Sequence, residues 1–315
     1  MMQSRKIFAR YAWALLAYNL LVILWGAVVS STGSGAGCGE HWPDCNGQII
    51  PLNASLQTLI EFSHRLTSGL DGLLVIALVV WAWRAFPPKH RVRGAAAASF
   101  IFVLLEGLIG ALLVRQGWTA LDTSVERILM QPLHLINTLF LLAALTFTAW
   151  WAAGGAAVQL HGQGSRLWLF GFGLLGVLLI GGSGALISLG DFLAFSLSAQ
   201  YDALVAWLVG LRLWHPLIAI GVGAYLLWLA FSVAPMTPNS VSQRLAHITA
   251  GLVLAQWAVG FINVWLRVPL WTQITHLLLA DLIWIALLLW TASALAQPEA
   301  QSAAASSQPR GAAAG

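Results

Sequence analysis

Eight apolar runs, each long enough to cross a hydrocarbon layer, dominate the chain: residues 10–31, 59–83, 94–115, 128–151, 167–189, 208–232, 245–266 and 271–292. About 20 helical residues span a bilayer core of about 30 Å. Backbone groups in lipid must be satisfied within the segment that carries them, so each run predicts a transmembrane helix. The fold class expected is an all-α integral membrane protein with eight transmembrane helices. The first run follows Arg5, Lys6 and Arg10, but it is too long for a signal-peptide core and lacks a clear small-residue cleavage site, so it predicts a retained helix. The stretch 296–315, rich in Ala, Ser and Gln, holds too little hydrophobicity to fold and predicts a disordered tail.

Composition agrees with lipid as the solvent: 59% of residues are hydrophobic, 8% are charged, and the mean hydropathy is +0.80, far from a soluble domain. A net charge of +4 could suggest nucleic acid, but the basic residues sit in short loops and form no patch. Their distribution is informative in another way. With an even number of spans, the N-terminus, the 84–93 loop, Arg166, Arg244 and Arg310 share one side and carry ten basic residues. The other side has five: Arg65, Arg115, Arg127, Arg212 and Arg267. The positive-inside rule then makes both termini, and the tail, cytoplasmic in the plasma membrane.

Cys38 and Cys45 lie in the first outer loop, within Cys-Gly-Glu-His-Trp-Pro-Asp-Cys. On the oxidising side of a membrane a disulfide is expected. His41 leaves a Cys/His metal site as the alternative, one ligand short of a closed zinc site.

The halves echo each other. Glu-Phe-Ser-His64-Arg-Leu matches Arg-Leu-Trp-His215-Pro-Leu, Leu-Ile-Gly-Ala-Leu-Leu-Val-Arg115 matches Gly-Phe-Ile-Asn-Val-Trp-Leu-Arg267, and Gln-Pro-Leu-His134-Leu matches Gln-Ile-Thr-His276-Leu. Two pseudosymmetric four-helix bundles, residues 1–152 and 166–292, are expected, as parallel repeats. Of eight histidines, His41, His90 and His161 fall in loops and read as solvated, and His247 opens helix seven at the cytoplasmic end. His64, His134, His215 and His276 each enter a helix from the outer face by one to two turns, and therefore share a depth. Ionisable groups inside a membrane are costly and usually functional, although one alone would fit a helix-helix hydrogen bond. Imidazole pairs on facing helices hold heme iron from both sides, which pairs His64 with His134 and His215 with His276. Arg65, Arg127 and Arg212 lie where heme propionates would meet the positive helix ends.

Only one site has a carboxylate. Glu61 stands one turn outward of His64, where the repeat places Arg212 before His215. Chemistry is therefore expected in the N-terminal half, from Glu61 acting in proton transfer or stabilising a developing cation. The alternative is an i, i+4 pair of Glu61 with Arg65. The C-terminal half, with no acid to spare, reads as a permanent electron-carrying heme. Asp71, Glu106 and Asp281 read as polar contacts or proton-path residues, and Arg115 and Arg267 as snorkelling side chains.

These residues resemble the heme A synthases of bacteria and mitochondria over about residues 10–292. The likeness rests on Gly26-Ala-Val-Val-Ser-Ser-Thr-Gly33-Ser-Gly35 leading into the Cys38 to Cys45 loop with Trp42-Pro43, on Gly47-Gln-Ile-Ile-Pro51, on Glu61-Phe-Ser-His64-Arg65, on His134-Leu-Ile-Asn-Thr and on His276-Leu-Leu-Leu-Ala-Asp281. The resemblance implies oxidation of the heme O methyl group to the formyl group of heme A by successive hydroxylation. It implies that His64 and His134 hold the substrate heme, that Glu61 is catalytic, that His215 and His276 ligate a heme b cofactor, and that Cys38 and Cys45 match the family's outer-loop pair. A heme O synthase and a terminal oxidase are its implied partners, with no nucleic acid; a homo-oligomer is compatible with the sequence. A second outer-loop cysteine pair, present in many bacterial members, is missing from residues 190–204. The rival readings are a diheme b-type electron-transfer cytochrome that oxidises quinol without modifying heme and, behind it, a heme carrier or transporter. Against the transporter stands the expectation that no pair of helices is broken at mid-membrane.

Overall fold

The computed structural model describes residues 2–198, 202–236 and 239–296, so the expected tail lies outside the described residues apart from Ala296. Each apolar run is helical: α1 (Met2–Ser31), α2 (Leu56–Ala85), α3 (Arg91–Arg115), α4 (Val125–Ala152), α5 (Ser165–Ser196), α6 (Ala203–Gly210) and α7 (Trp214–Trp228) within one crossing, α8 (Ser240–Trp265) and α9 (Leu270–Ala294). Among the described residues, eight spans are long and apolar enough to cross a membrane.

Most helices begin before their apolar run, because polar caps start them. Ser55 accepts from the Thr58 N–H, Ser124 from Arg127, Asp202 from Leu204 and Val205, and Asn239 from Val241 and Ser242. A side-chain oxygen that meets the first free N–H groups of a helix fixes its start in the interfacial region. The Val205 N–H, with Thr123 and the Leu204 N–H, also holds the Asp202 carboxyl below its ordinary range. His90, expected to be merely solvated, is the N-cap of α3: its Nδ1 accepts from the Val92 N–H. Its ring packs 4.7 Å from that of Phe86. Burial there, with Arg5, Arg91 and Arg93 nearby, pushes the imidazole down from its usual value, toward the neutral form that can accept.

The sixth crossing departs from a uniform helix. Leu211–Leu213 tighten into a 3-10 turn between α6 and α7, and Leu229–Val233 loosen into a π-helical turn beyond α7. Pro216 cannot donate to the Arg212 carbonyl, which accounts for the tightened turn upstream. In α4, Pro132 sits within a continuous helix.

α1 packs on α2 and α4, and α3 packs between α2 and α4; in the second half α5 packs on α7 and α9, and α8 packs between α7 and α9. Each half thus closes a ring of four crossings, and α1, α4, α5 and α9 meet between the halves. Across that seam the Trp284 indole donates to the Leu139 carbonyl at 2.7 Å. The buried centre includes Phe8, Leu78, Leu142, Leu145, Phe170, Leu229, Leu287 and Trp290. Large side chains such as Leu104, Phe172, Leu179 and Phe261 point outward; lipid accepts them without penalty, so helix contact must come from close fit instead. Glycines supply it: a Cβ on Gly176 would lie 2.8 Å from Val222, and one on Gly223 would lie 2.7 Å from the Trp257 ring.

α3 and α8 end alike. Gly117 (φ 68°) and Arg267 (φ 62°) both turn left-handed, and the next N–H groups, Trp118 and Val268, bond back to Leu113 and Asn263 at 2.9 and 2.7 Å. The matching of Arg115 with Arg267 is therefore two residues out. Arg267 stands opposite Gly117, Arg115 opposite Trp265, and, in the same register, Glu106 opposite Gln256. Arg115 and Arg267 are both exposed at the helix ends.

Gly223→Ala should push α7 off α8 and lower stability by about 1–3 kcal/mol, the usual cost of overpacking, read as a lower unfolding temperature in detergent.

Candidate functional site

Four histidines project from helices that start at the same end of the bundle. His64, His134 and His276 lie eight, nine and six residues after the first residues of α2, α4 and α9, or roughly 9–14 Å along their axes. This is deeper than the one to two turns expected for the first two, since the caps lengthen those helices outward. His215 follows the 3-10 turn at the start of α7. Side chains at this end bridge separate crossings: Ser31, ending α1, donates to Gln273 of α9 at 3.0 Å, and Thr123, before α4, donates to Asp202, before α6, at 3.2 Å.

The rings of His215 and His276 have centres 6.5 Å apart. Two imidazoles bound through nitrogen to one iron, each at about 2 Å, place their ring centres roughly 6 Å apart. His64 lies within electrostatic reach of His134 and Glu106. Three of the rings rest on glycines of neighbouring helices: His64 on Gly26, His215 on Gly184 and His276 on Gly260, each with its nearest ring atom 3.1 Å from where a Cβ would stand. Nδ1 of His64 and of His276 are buried without a hydrogen-bond partner, while the Ser183 hydroxyl is 2.9 Å from His215 Nδ1. The His215 and His276 rings, at this spacing and each held against a glycine, fit bis-histidine heme iron. Among the described residues, no group of three or more His, Cys, Asp and Glu could hold a metal ion.

Cys38 and Cys45 form a disulfide, which removes the thiolates the alternative metal site would need. The loop it closes is fastened to α2. Glu61 is buried, 3% exposed, and its Oε2 accepts from the Cys38 N–H at 2.7 Å. Its Oε1 accepts from Arg65 Nε at 3.1 Å and from Nη2. Arg65 Nη1 donates to the carbonyls of His41 and Asp44 at 2.8 and 2.7 Å. The i, i+4 pair is thus present, and both carboxylate oxygens have donors. His41 itself stays exposed, 3.5 Å from Asp44.

Arg127 is buried; its Nη1 donates to the carbonyls of Ala120 and Asp122, and its Nε has no hydrogen-bond partner. Arg212 pairs with Asp191 of α5. The C-terminal half therefore has an outer carboxylate after all. It was missed because it comes from a neighbouring helix and not from a repeat of Glu61.

Two further polar partners were also missed. Glu106 Oε2 lies 2.6 Å from His134 Nε2, and Thr138 donates to Oε1. Gln256 Nε2 lies 3.2 Å from His276 Nε2. The signal was a match of Glu106-Gly-Leu-Ile-Gly110 with Gln256-Trp-Ala-Val-Gly260, hidden by the pull of the two arginines. Asp71 accepts from Asn19 at 2.8 Å. Asp281 is fully buried, with neither oxygen hydrogen-bonded among the described residues. His161 is exposed, and exposed His247 stands 6.5 Å from the ring of Phe231 at the far end.

The family model of the COX15-CtaA cytochrome oxidase assembly protein matches residues 9–58 and 53–288. A Thermus thermophilus protein named Protoheme IX farnesyltransferase is 49% identical over 294 residues, covering 91% of this chain and 48% of that protein. Its counterpart in a second strain of that species matches equally, so the chain spans about half the length of both relatives. A Geobacillus kaustophilus protein named Heme A synthase is 31% identical over 289 residues, with 88% of this chain and 87% of that protein covered.

Replacing Arg65 with Ala should leave Glu61 buried without its cation and free two loop carbonyls. The expected loss is about 3 kcal/mol, together with faster hydrogen exchange at the Cys38 amide.

Proposed function

The chain belongs to the COX15-CtaA family of cytochrome oxidase assembly proteins, and from that premise we propose that it is a heme A synthase, oxidising the methyl group of heme O to the formyl group of heme A by successive hydroxylation. The observation that carries the reading is the imidazole pairing, with His215 and His276 spaced as one iron requires. The share of the Geobacillus kaustophilus Heme A synthase covered supports the activity. The farnesyl transfer named for the Thermus proteins belongs, in this reading, to the half of them that this chain does not cover.

The halves 1–152 and 166–292 are then pseudosymmetric bundles with different duties. His64 and His134 bind and orient the substrate heme from both sides. His215 and His276 hold heme b, which when bound supplies one-electron transfer. Gly26, Gly184 and Gly260 let three of the rings approach helix backbones closely. Arg127, with its buried unpartnered Nε, and Arg212 and Arg65 at the same end would meet the propionates. Glu61, one turn outward of His64, is the catalytic residue: Arg65 and the Cys38 N–H aim its carboxylate, which stabilises positive charge developing at the methyl carbon. The disulfide loop covers that end and excludes water. Heme O reaches the site from a heme O synthase, and heme A passes to a terminal oxidase. Both termini lie in the cytoplasm and the chain in the plasma membrane.

Expression in a host that makes heme O but lacks its own heme A synthase, followed by chromatography and mass analysis of extracted hemes, should yield heme A or its hydroxylated intermediate. Heme b with unchanged heme O would favour the diheme electron-transfer cytochrome. Glu61→Gln keeps an oxygen for the Cys38 N–H, so it should retain the heme b spectrum while product formation falls by about 100-fold.

A further inference from the structure

The halves differ chemically where α3 and α8 face the last helix of each bundle. Glu106 Oε2 lies 2.6 Å from His134 Nε2. In the matching position Gln256 Nε2 lies 3.2 Å from His276 Nε2, and Gln256 Oε1 is buried without a partner. A carboxylate accepts hydrogen bonds, whereas an amide nitrogen donates them. Glu106 therefore calls for the ring proton of His134 on Nε2. The Gln256 amide nitrogen can donate only to an unprotonated His276 Nε2, so this contact favours the ring's proton on Nδ1, the tautomer that can bind iron through Nε2. The surroundings differ in the same sense. A Cβ on Gly260 would stand 3.1 Å from the His276 ring, whereas one on Gly110 would meet nothing within 4 Å. In the C-terminal pair the Ser183 hydroxyl also holds His215 Nδ1 at 2.9 Å, while Nδ1 of His64 and of His276, one in each pair, are buried and unpartnered.

One ring nitrogen cannot bind iron and keep either contact. We infer that Glu106 and Gln256 are positioning residues that set how tightly each histidine pair keeps its heme: Glu106 makes the His64 and His134 site an exchanging one, and Gln256 makes the His215 and His276 site a retaining one. This rests on the reading that both pairs hold heme. For His134 to hold heme through Nε2, the 2.6 Å contact of that nitrogen with the Glu106 carboxylate would have to open and the ring proton stand on Nδ1; release would restore the contact. The ring proton is kept and no electron is transferred. A carboxylate contact is the stronger competitor, since hydrogen bonds to charged groups exceed neutral ones by about tenfold in equilibrium. An exchanging site suits a substrate that must leave as product, and a retaining site suits a cofactor.

The test uses the full chain in detergent, loaded with heme b, in two single-site forms: His215→Ala keeps the N-terminal pair and His64→Ala keeps the C-terminal pair. Partition of heme to apomyoglobin and the low-spin bis-imidazole spectrum are read together. In the first form Glu106→Gln should raise retention about tenfold and Glu106→Asp should restore exchange; in the second, Gln256→Glu should lower retention about tenfold. In the chain with all four histidines, the double exchange Glu106→Gln with Gln256→Glu should reverse the order in which the hemes leave, an outcome that general loss of packing would not give. Unchanged partition with intact low-spin spectra overturns the inference and spares the heme reading. No low-spin spectrum from either single-site form, with the four-histidine chain likewise heme-free, overturns both.

Discussion

A peptide group in hydrocarbon has no water to bond to, and each unsatisfied one costs several kcal/mol. That constraint makes every described crossing of this chain helical and confines irregular backbone to the ends, with one exception. In the sixth crossing Leu211–Leu213 leave α-helical geometry just before His215, near the outer end where caps, arginines and loop carbonyls can satisfy freed groups. The histidines follow the same rule. All four stand toward the same end of the bundle, where polar groups from helix starts and loops gather.

The loop between α1 and α2 is bound to α2 through a buried ion pair. Glu61 and Arg65 lie a turn apart on α2, and between them they hold the Cys38 amide and the carbonyls of His41 and Asp44. The disulfide fixes the two ends of the loop to each other, and the ion pair fixes the loop to α2. A buried pair of this kind is weak evidence for stability by itself, since desolvation offsets attraction. Its value lies in orientation: Glu61 cannot turn away from the loop without stranding the Arg65 guanidinium. A structural role and the proposed catalytic role therefore share one geometry.

Similar scaffolds carry different chemistry in the two halves. His64 and His215 each lie against a glycine of the preceding crossing, and His134 and His276 each meet a polar side chain from α3 or α8. What changes between the halves is charge and hydrogen-bond direction: Glu61 and Glu106 in one, Ser183 and Gln256 in the other, with Asp191 and Arg212 at the outer edge. Packing fixes where the histidines stand, and these neighbours decide what each ring nitrogen can do.

Hydrophobic length alone determined the eight crossings and their alternation, because lipid leaves a 20-residue apolar run few other options. The motifs around His64, His134, His215 and His276 were legible too, since ionisable residues inside such runs stand out against their background. Helix starts were less so: Ser55 and Ser124 lie outside the apolar runs, and only a hydrogen bond to a free N–H makes them caps. The repeat was legible but misregistered at its third helix, where Arg115 and Arg267 look equivalent in letters and the left-handed ends at Gly117 and Arg267 place them two residues apart. The partners of the histidines, Glu106, Gln256 and Ser183, and the pairing of Asp191 with Arg212 were decided only by tertiary structure. Each joins residues on different helices, and which helix faces turn toward one another is set by the packing of glycines and bulky side chains across the bundle, a property that no single stretch of sequence contains.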